Sequence, residues 1–315
     1  MNQPLDIARA FHLASTLLLA GTIWFRYLVA APAFRGKAGD PLEDGLSLRL
    51  TRIVWVALAV AVLSGAAWLV FLTAEIGDLP IADAVSQGFA WTVLTQTQFG
   101  DDWMARLAIA LLLAVLLWIP KRVPGLASAT AVVCAILAAG LVASLAWAGH
   151  AAATEGFDGT IHLASDALHL VAAGAWLGAL WPLAILLGHA RRAGDPASAV
   201  VAYQATRRFS ILGIISVAVI LVTGTVNTYE MLGTFVPSLD ANYDRLLLAK
   251  IGLFAAMLAL AAVNRQRLTP QLSSDRDRRR AMWRLERNSL LEVALGLLIL
   301  GIVAVLGRIS PHVHG

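Results

Sequence analysis

The stretch Ile161-His-Leu-Ala-Ser-Asp-Ala-Leu-His169 sets His162, Asp166 and His169 at i, i+4 and i+7, a spacing that lays all three along one stripe of a helix. Imidazole is the commonest side-chain ligand for metals. A carboxylate beside it either coordinates the same ion or accepts the free ring N–H of a metal-bound imidazole and so fixes its direction. The stripe therefore reads as part of a metal site, with Asp166 as ligand or as support. The structural alternative is an ion pair between Asp166 and a cation, for which Arg9, Arg106, Arg245 and Lys250 are the candidates.

Further donors stand nearby in the expected topology. His150 precedes His162 by twelve residues, and His12 lies about 9 Å into the first apolar run at 1.5 Å per residue. A single histidine at such a depth is most simply a hydrogen-bonded interfacial residue; His12, His150, His162 and His169 converging on one depth read as a ligand set. His312 and His314 alternate after Pro311 and form either a metal-delivering tail or a frayed terminus. Met104 and Met231 are placed for Cu(I), although methionine among aliphatic residues usually packs. Glu230, one turn after Asn227, offers oxygen. Nitrogen with a little oxygen and little sulfur suits Cu(II), Zn(II) or haem iron, and affinity order favours copper over zinc. Cys134 is the single cysteine, which excludes an internal disulfide or a thiolate cluster.

The elements that must position these residues are membrane helices. The 315-residue chain is 59% hydrophobic and 14% charged, with a mean hydropathy of +0.74, against roughly 45–50% apolar residues in a soluble domain. About 20 predominantly apolar residues span the hydrocarbon as a helix. Eight stretches qualify: 6–33, 50–74, 103–120, 125–149, 161–189, 208–232, 244–264 and 285–307. The expected fold is all-α, a single polytopic membrane domain over 1–315 with no soluble domain. The first run lacks a basic n-region and is too long for a signal peptide, so it is expected to be retained. Ile81 to Trp91 is expected to form an interfacial helix, with Trp91 and Trp103 at headgroup level.

Loop charge gives the orientation, because short loops rich in Lys and Arg stay cytoplasmic. The odd-numbered loops carry Arg35, Lys37, Arg49, Arg52, Lys121, Arg122, Arg191, Arg192, Arg207, Arg208 and the run from Arg265 to Arg287, whereas the even-numbered loops carry no Lys or Arg. Both termini are therefore expected outside, in the periplasm, together with every histidine except His189. The net charge of +4 follows from these loops, and no nucleic-acid partner is inferred from it.

A weak internal repeat accompanies this pattern. His12-Leu13 is followed by Gly21 and Trp24, as His169-Leu170 is by Gly178 and Trp181; Ser64-Gly65 matches Thr223-Gly224, and Arg106-Leu107 matches Arg245-Leu246. Matches so short also arise by chance. A true repeat would be parallel, four helices plus four about an axis along the membrane normal, with His12 and His169 at equivalent depths.

Several stretches then resemble the CopD copper-resistance membrane proteins: Ser144-Leu-Ala-Trp-Ala-Gly-His150 leading through His162 into His169-Leu-Val-Ala-Ala-Gly-Ala-Trp-Leu-Gly178; Arg208-Phe-Ser210 with Thr223-Gly-Thr-Val-Asn227; Leu248-Ala-Lys-Ile-Gly252 on to Asn264-Arg265; and Glu292 ahead of Pro311-His312. The resemblance covers nearly the whole chain. It implies an eight-span bacterial inner-membrane protein that takes copper, Cu(I) or Cu(II), from a separate periplasmic CopC-like carrier and moves it toward the cytoplasm.

On this reading His12, His150, His162 and His169, with Asp166, bind copper at the periplasmic mouth. No P-loop is present to drive primary pumping, and a non-enzyme is expected. Movement would be passive or coupled to the membrane potential or protons, with Glu230, Lys250 and Glu292 as relay candidates. The rival is a membrane cytochrome in which His12 and His169 clamp a b-type haem. A third reading is a docking or sensory partner for a periplasmic protein.

Overall fold

The computed structural model describes residues 3–35, 40–118, 127–149, 156–237, 239, 241–274 and 277–309, with the side chains of 127 and 157 excepted. These residues are mostly helical, joined by short turns and bends, with no strand among them. The helices are α1 (Gln3–Trp24), α2 (Pro41–Gly77), α3 (Ile81–Ser86), α4 (Phe89–Gln96), α5 (Gln98–Trp118), α6 (Ala127–Ala143), α7 (Gly156–Ala193), α8 (Pro196–Leu232), α9 (Asn242–Val263) and α10 (Arg278–Leu306). π-helical turns extend α1 through Phe25–Ala30 and α9 through Asn264–Leu268, and a tight 3-10 turn closes α6 at Ser144–Ala148.

Among the described residues, seven helices are long and apolar enough to cross a membrane: those built on α1, α2, α6, α7, α8, α9 and α10. The remaining expected span, 103–120, falls on α5, whose 21 residues include Asp101, Asp102 and Arg106. Arg106 is buried at 2% exposure. It ion-pairs with Asp102 and donates to the Ser144 hydroxyl at 3.1 Å and the Ser144 carbonyl at 2.6 Å. Those bonds pin the 3-10 turn to α5.

Helix ends differ from the expected span ends, for a local reason. Asp40 and Asp195 are N-caps whose side chains accept from Leu42 N and Ser198 N, each followed by a proline at the first helical position, where a missing N–H and a fixed φ are harmless. α2 and α8 therefore begin at Pro41 and Pro196 instead of 50 and 208, and Arg49, Arg52, Arg207 and Arg208 lie on helices, not in loops. Hydropathy marks the lipid-embedded part of a helix; caps mark its end. Likewise, Arg278-Arg279-Arg280 opens α10 instead of lying in a solvated loop.

The apolar segment Ile81 to Trp91 is two short helices, broken where Gly88 adopts a φ of 76°. Trp91 is exposed, whereas Trp103 is 3% exposed and packs inside the protein. Cys134 is fully buried.

α7 is the centre of the molecule and packs on α8, α1 and α10. Small residues allow this: a Cβ on Gly21 would overlap the Gly178 main chain, and one on Gly296 would overlap the Leu177 side chain. At one end, Arg308 Nη1 binds both oxygens of Asp6 at 3.0 Å and Nη2 binds Glu75 Oε1 at 2.8 Å, tying together the ends of α1, α2 and α10.

Candidate functional site

A cavity of about 160 Å³ opens among α7, α8, α9 and α10, with Arg9 and Leu13 of α1, Trp68 of α2 and the end of the 3-10 turn completing its wall. His162, Asp166 and His169 all line it, as the stripe predicts, because α7 runs unbroken through them. From α8, Asn227 Nδ2 donates to Asp166 Oδ1 at 3.2 Å. Met231, one turn further along α8, and Lys250 of α9 line the same space.

The orientation of His169 follows from its partner. The Thr223 hydroxyl donates its single hydrogen to the Val219 carbonyl at 2.6 Å, the back-bond common for threonine within helices. It can then only accept from His169 Nδ1, 3.0 Å away. Nδ1 thus carries the proton, and Nε2 is left with its lone pair on a ring that lines the cavity. A Cβ on Gly224 would sit 3.4 Å from His169 Cε1, in ordinary van der Waals contact, so the ring packs closely over this position. Ser165 Oγ donates to the Thr223 carbonyl at 3.2 Å and closes the α7–α8 contact.

His12 occupies a matching but closed place. Its Nδ1 donates to the Ala61 carbonyl at 2.9 Å, and Nε2 is buried with no hydrogen-bond partner among the described residues. The ring is enclosed by Trp68 and Trp103, with centroids at 5.6 and 5.1 Å. A Cβ on Gly65 would strike the Trp103 ring, so the glycine admits the indole, whereas beside Gly224 only the His169 ring comes within 4 Å of such a Cβ.

The expected four-histidine convergence is therefore not what the described residues show. His162 and His169 share a cavity, while His12 stands outside it, behind Trp68. His150, His312 and His314 lie outside the described residues; Gly149, which precedes His150, lines the cavity, and a Cβ there would be 3.6 Å from Asp166 Oδ2. Among the described residues no three or more His, Cys, Asp or Glu side chains form a ready metal-binding group. Met104 is 54% exposed on α5, and Glu230 does not line the cavity. Glu292 is buried at the other end of the bundle. Arg106 and Arg245 are engaged elsewhere, with Ser144 and the Leu239 carbonyl, whereas Arg9 and Lys250 share the space of Asp166.

The formal charges of the cavity are thus one carboxylate against two cations. What it offers a metal is lone pairs rather than net negative charge. The positioning roles of Thr223 and Asn227 do not follow from the sequence alone, although both lie in the stretch Thr223-Gly-Thr-Val-Asn227 that carries the family resemblance.

These features define a multi-pass helical membrane protein with a buried imidazole–carboxylate cavity near one end of its helices. Residues 1–160 match the family described as copper resistance protein D-like, N-terminal domain, and residues 203–306 match copper resistance protein D. The chain is 31% identical to copper resistance protein D of Pseudomonas syringae pv. tomato, over 100% of this chain and 99% of that one. It is 34% identical to inner membrane protein YebZ of Escherichia coli over 69% of this chain and 70% of that one. It is also 34% identical to copper transport protein CutJ of Bacillus subtilis, over 40% of this chain and 22% of that protein. The chain belongs to the copper resistance protein D family. No solved structure matches it.

Proposed function

We propose that this protein binds copper in the cavity between α7 and α10 and carries it across the bacterial inner membrane for copper homeostasis. The observation that carries the reading is His169, whose Nδ1 proton is committed to Thr223 and whose Nε2 lone pair is free on a ring lining a space shared with His162, Asp166 and Met231. A ring nitrogen held in this way is the form in which histidine ligates metal, and the hydroxyl behind it sets its direction. Two imidazoles, a carboxylate and one thioether are a donor set for copper, with the thioether favouring Cu(I) and the imidazoles serving both oxidation states. His150, next to Gly149, is the proposed further ligand.

The loop charges support an orientation in which this cavity faces the periplasm with both termini. Copper then arrives from a CopC-like periplasmic carrier and leaves toward the cytoplasm. The relatives' names, copper resistance and copper transport proteins, favour this cargo. α5 is proposed as the eighth span, its charges satisfied internally through Arg106, Asp102 and Ser144. The 4+4 repeat is supported by Gly21 meeting Gly178 and by His12 and His169 each bonding through Nδ1 to the neighbouring helix. Nothing favours the haem reading, since His12 and His169 do not share a cavity and about 160 Å³ is small beside the roughly 300–1,000 Å³ of ordinary ligand pockets.

Copper titration of the purified protein, paired with copper uptake in cells, tests the proposal. His169→Ala and His162→Ala are expected to lower both. Unchanged stoichiometry together with unchanged uptake would end it.

A further inference from the structure

A second cavity, of about 360 Å³, lies at the opposite end of the same four helices. On each helix the order is consistent: α7 lines the first cavity at His162–His169 and the second at Trp176–Leu183; α8 reverses this, as does α10, and α9 follows α7. Between them stands an aromatic pair, Trp176 and Phe254, edge to face at 5.9 Å and 90°.

The second cavity holds Glu292, which is 1% exposed. Its Oε1 accepts from Asn264 Nδ2 at 2.8 Å; the Asn264 carboxamide oxygen accepts from Asn288 Nδ2 at 2.8 Å, and Asn288 Oδ1 from Arg287 Nη2 at 3.2 Å. Every donor in this chain points toward Glu292. Asn264 begins the π-helical turn, its own carbonyl taken by the Thr269 hydroxyl at 2.8 Å, and π-bulges occur frequently at functional sites. Glu292 makes no ion pair among the described residues. Among the described residues Arg265 is the only other charged side chain lining the cavity, and it donates to Ser210 Oγ at 2.7 Å. α7 contributes only apolar residues here, and α8 contributes the hydroxyls of Thr206 and Ser210.

A buried acid that is held by carboxamides, forms no ion pair among the described residues and opens to a cavity is built to take a small cation and give it up again. We propose that Glu292 is a proton-exchange site of this protein, reached through the second cavity and separated from the histidine cavity by Trp176 and Phe254. The carboxamides orient the acid, and the cavity supplies the access path. The proposal goes beyond the copper reading and rests on it only in linking the proton to copper movement.

The test uses the full-length protein in phosphatidylethanolamine–phosphatidylglycerol vesicles, first without copper. Infrared difference spectra through a pH titration are expected to show a carboxylic-acid C=O band in the wild type that is absent in Glu292→Gln, a variant that keeps the acceptor for Asn264. Identical wild-type and variant spectra at every pH would overturn the proposal. Asn264→Leu, which removes the donor, is expected to keep the band but move its frequency; this arm decides the matter if Glu292→Gln does not fold, an unmoved band overturning the proposal. Copper ions are then added outside vesicles loaded with a pH dye. Glu292→Gln is expected to retain the wild-type copper stoichiometry and to lose at least tenfold of the proton signal; equal proton signals overturn the proposal. Loss of copper binding in both proteins would remove the copper reading instead and leave the infrared result to decide Glu292.

Discussion

Gly21 of α1 and Gly178 of α7 meet backbone to backbone, so closely that a Cβ on either would fall inside the main chain of the other helix. Each stands nine residues after a histidine, His12 and His169. Two helices crossing at these residues fits the proposed 4+4 repeat. Overpacking typically costs about 1–3 kcal/mol, and here the obstacle is backbone, which cannot move aside. Gly178→Leu is expected to reach at least the upper end of that range, seen as a lowered unfolding midpoint in detergent. A midpoint equal to wild type would show that the helices can part freely.

On the proposed reading, Thr223 acts on bound metal only by orienting His169. Thr223→Val keeps the shape and removes the acceptor for Nδ1, and losses of this kind cost about 10–100-fold in metal affinity. Copper titration of this variant is expected to show weakened binding at unchanged stoichiometry, whereas His169→Ala also lowers the stoichiometry. Wild-type affinity in Thr223→Val would mean that the ring is oriented by something else.

Lys250 shares the cavity with Asp166 and His169, and a bound copper ion would feel its charge. Lys250→Met removes that repulsion and leaves Asp166 with less competition. A repulsion on the order of 1.4 kcal/mol, modest for unit charges within one cavity at an effective dielectric constant near 20, corresponds to about tenfold, so copper affinity is expected to rise by about that factor. A fall in affinity would show that Lys250 organises the site instead of opposing it.

Asp195 caps α8 through both its oxygens, accepting from Ser198 N at 2.9 Å and Ser198 Oγ at 2.6 Å. The Ser198 hydroxyl and N–H hold this carboxyl below the usual carboxylate range. With the folded-state value depressed, the cap stabilises fully above the unfolded value of about 3.9 and fades as pH falls through the folded one. Asp195→Ala is expected to cost about 1 kcal/mol near neutral pH and progressively less below about pH 4. Melting curves of both proteins between pH 7 and 3 check this; a constant gap would contradict it.

Much of this was legible in the sequence. The i, i+4, i+7 stripe of His162, Asp166 and His169 needed only helical periodicity, and periodicity in lipid is reliable because every backbone group must be bonded internally. His12 could not be separated from the set, because its spacing to Gly21 repeats that of His169 to Gly178. What distinguishes the two is a side chain from elsewhere: Trp103 fills the space beside Gly65, and no indole enters beside Gly224. Such a contact is tertiary and leaves no local pattern. Glu292 was recognisable as an acid in an apolar span, but its carboxamide partners, Asn264 and Asn288, come from the junction of two helices whose packing periodicity does not encode.

The most direct test of the central claim is crystallographic: anomalous scattering measured at the copper edge on copper-loaded protein. A copper peak among His162, Asp166 and His169, within bonding distance of His169 Nε2, is the predicted result. A peak at His12 or elsewhere, with this cavity empty, would contradict the account.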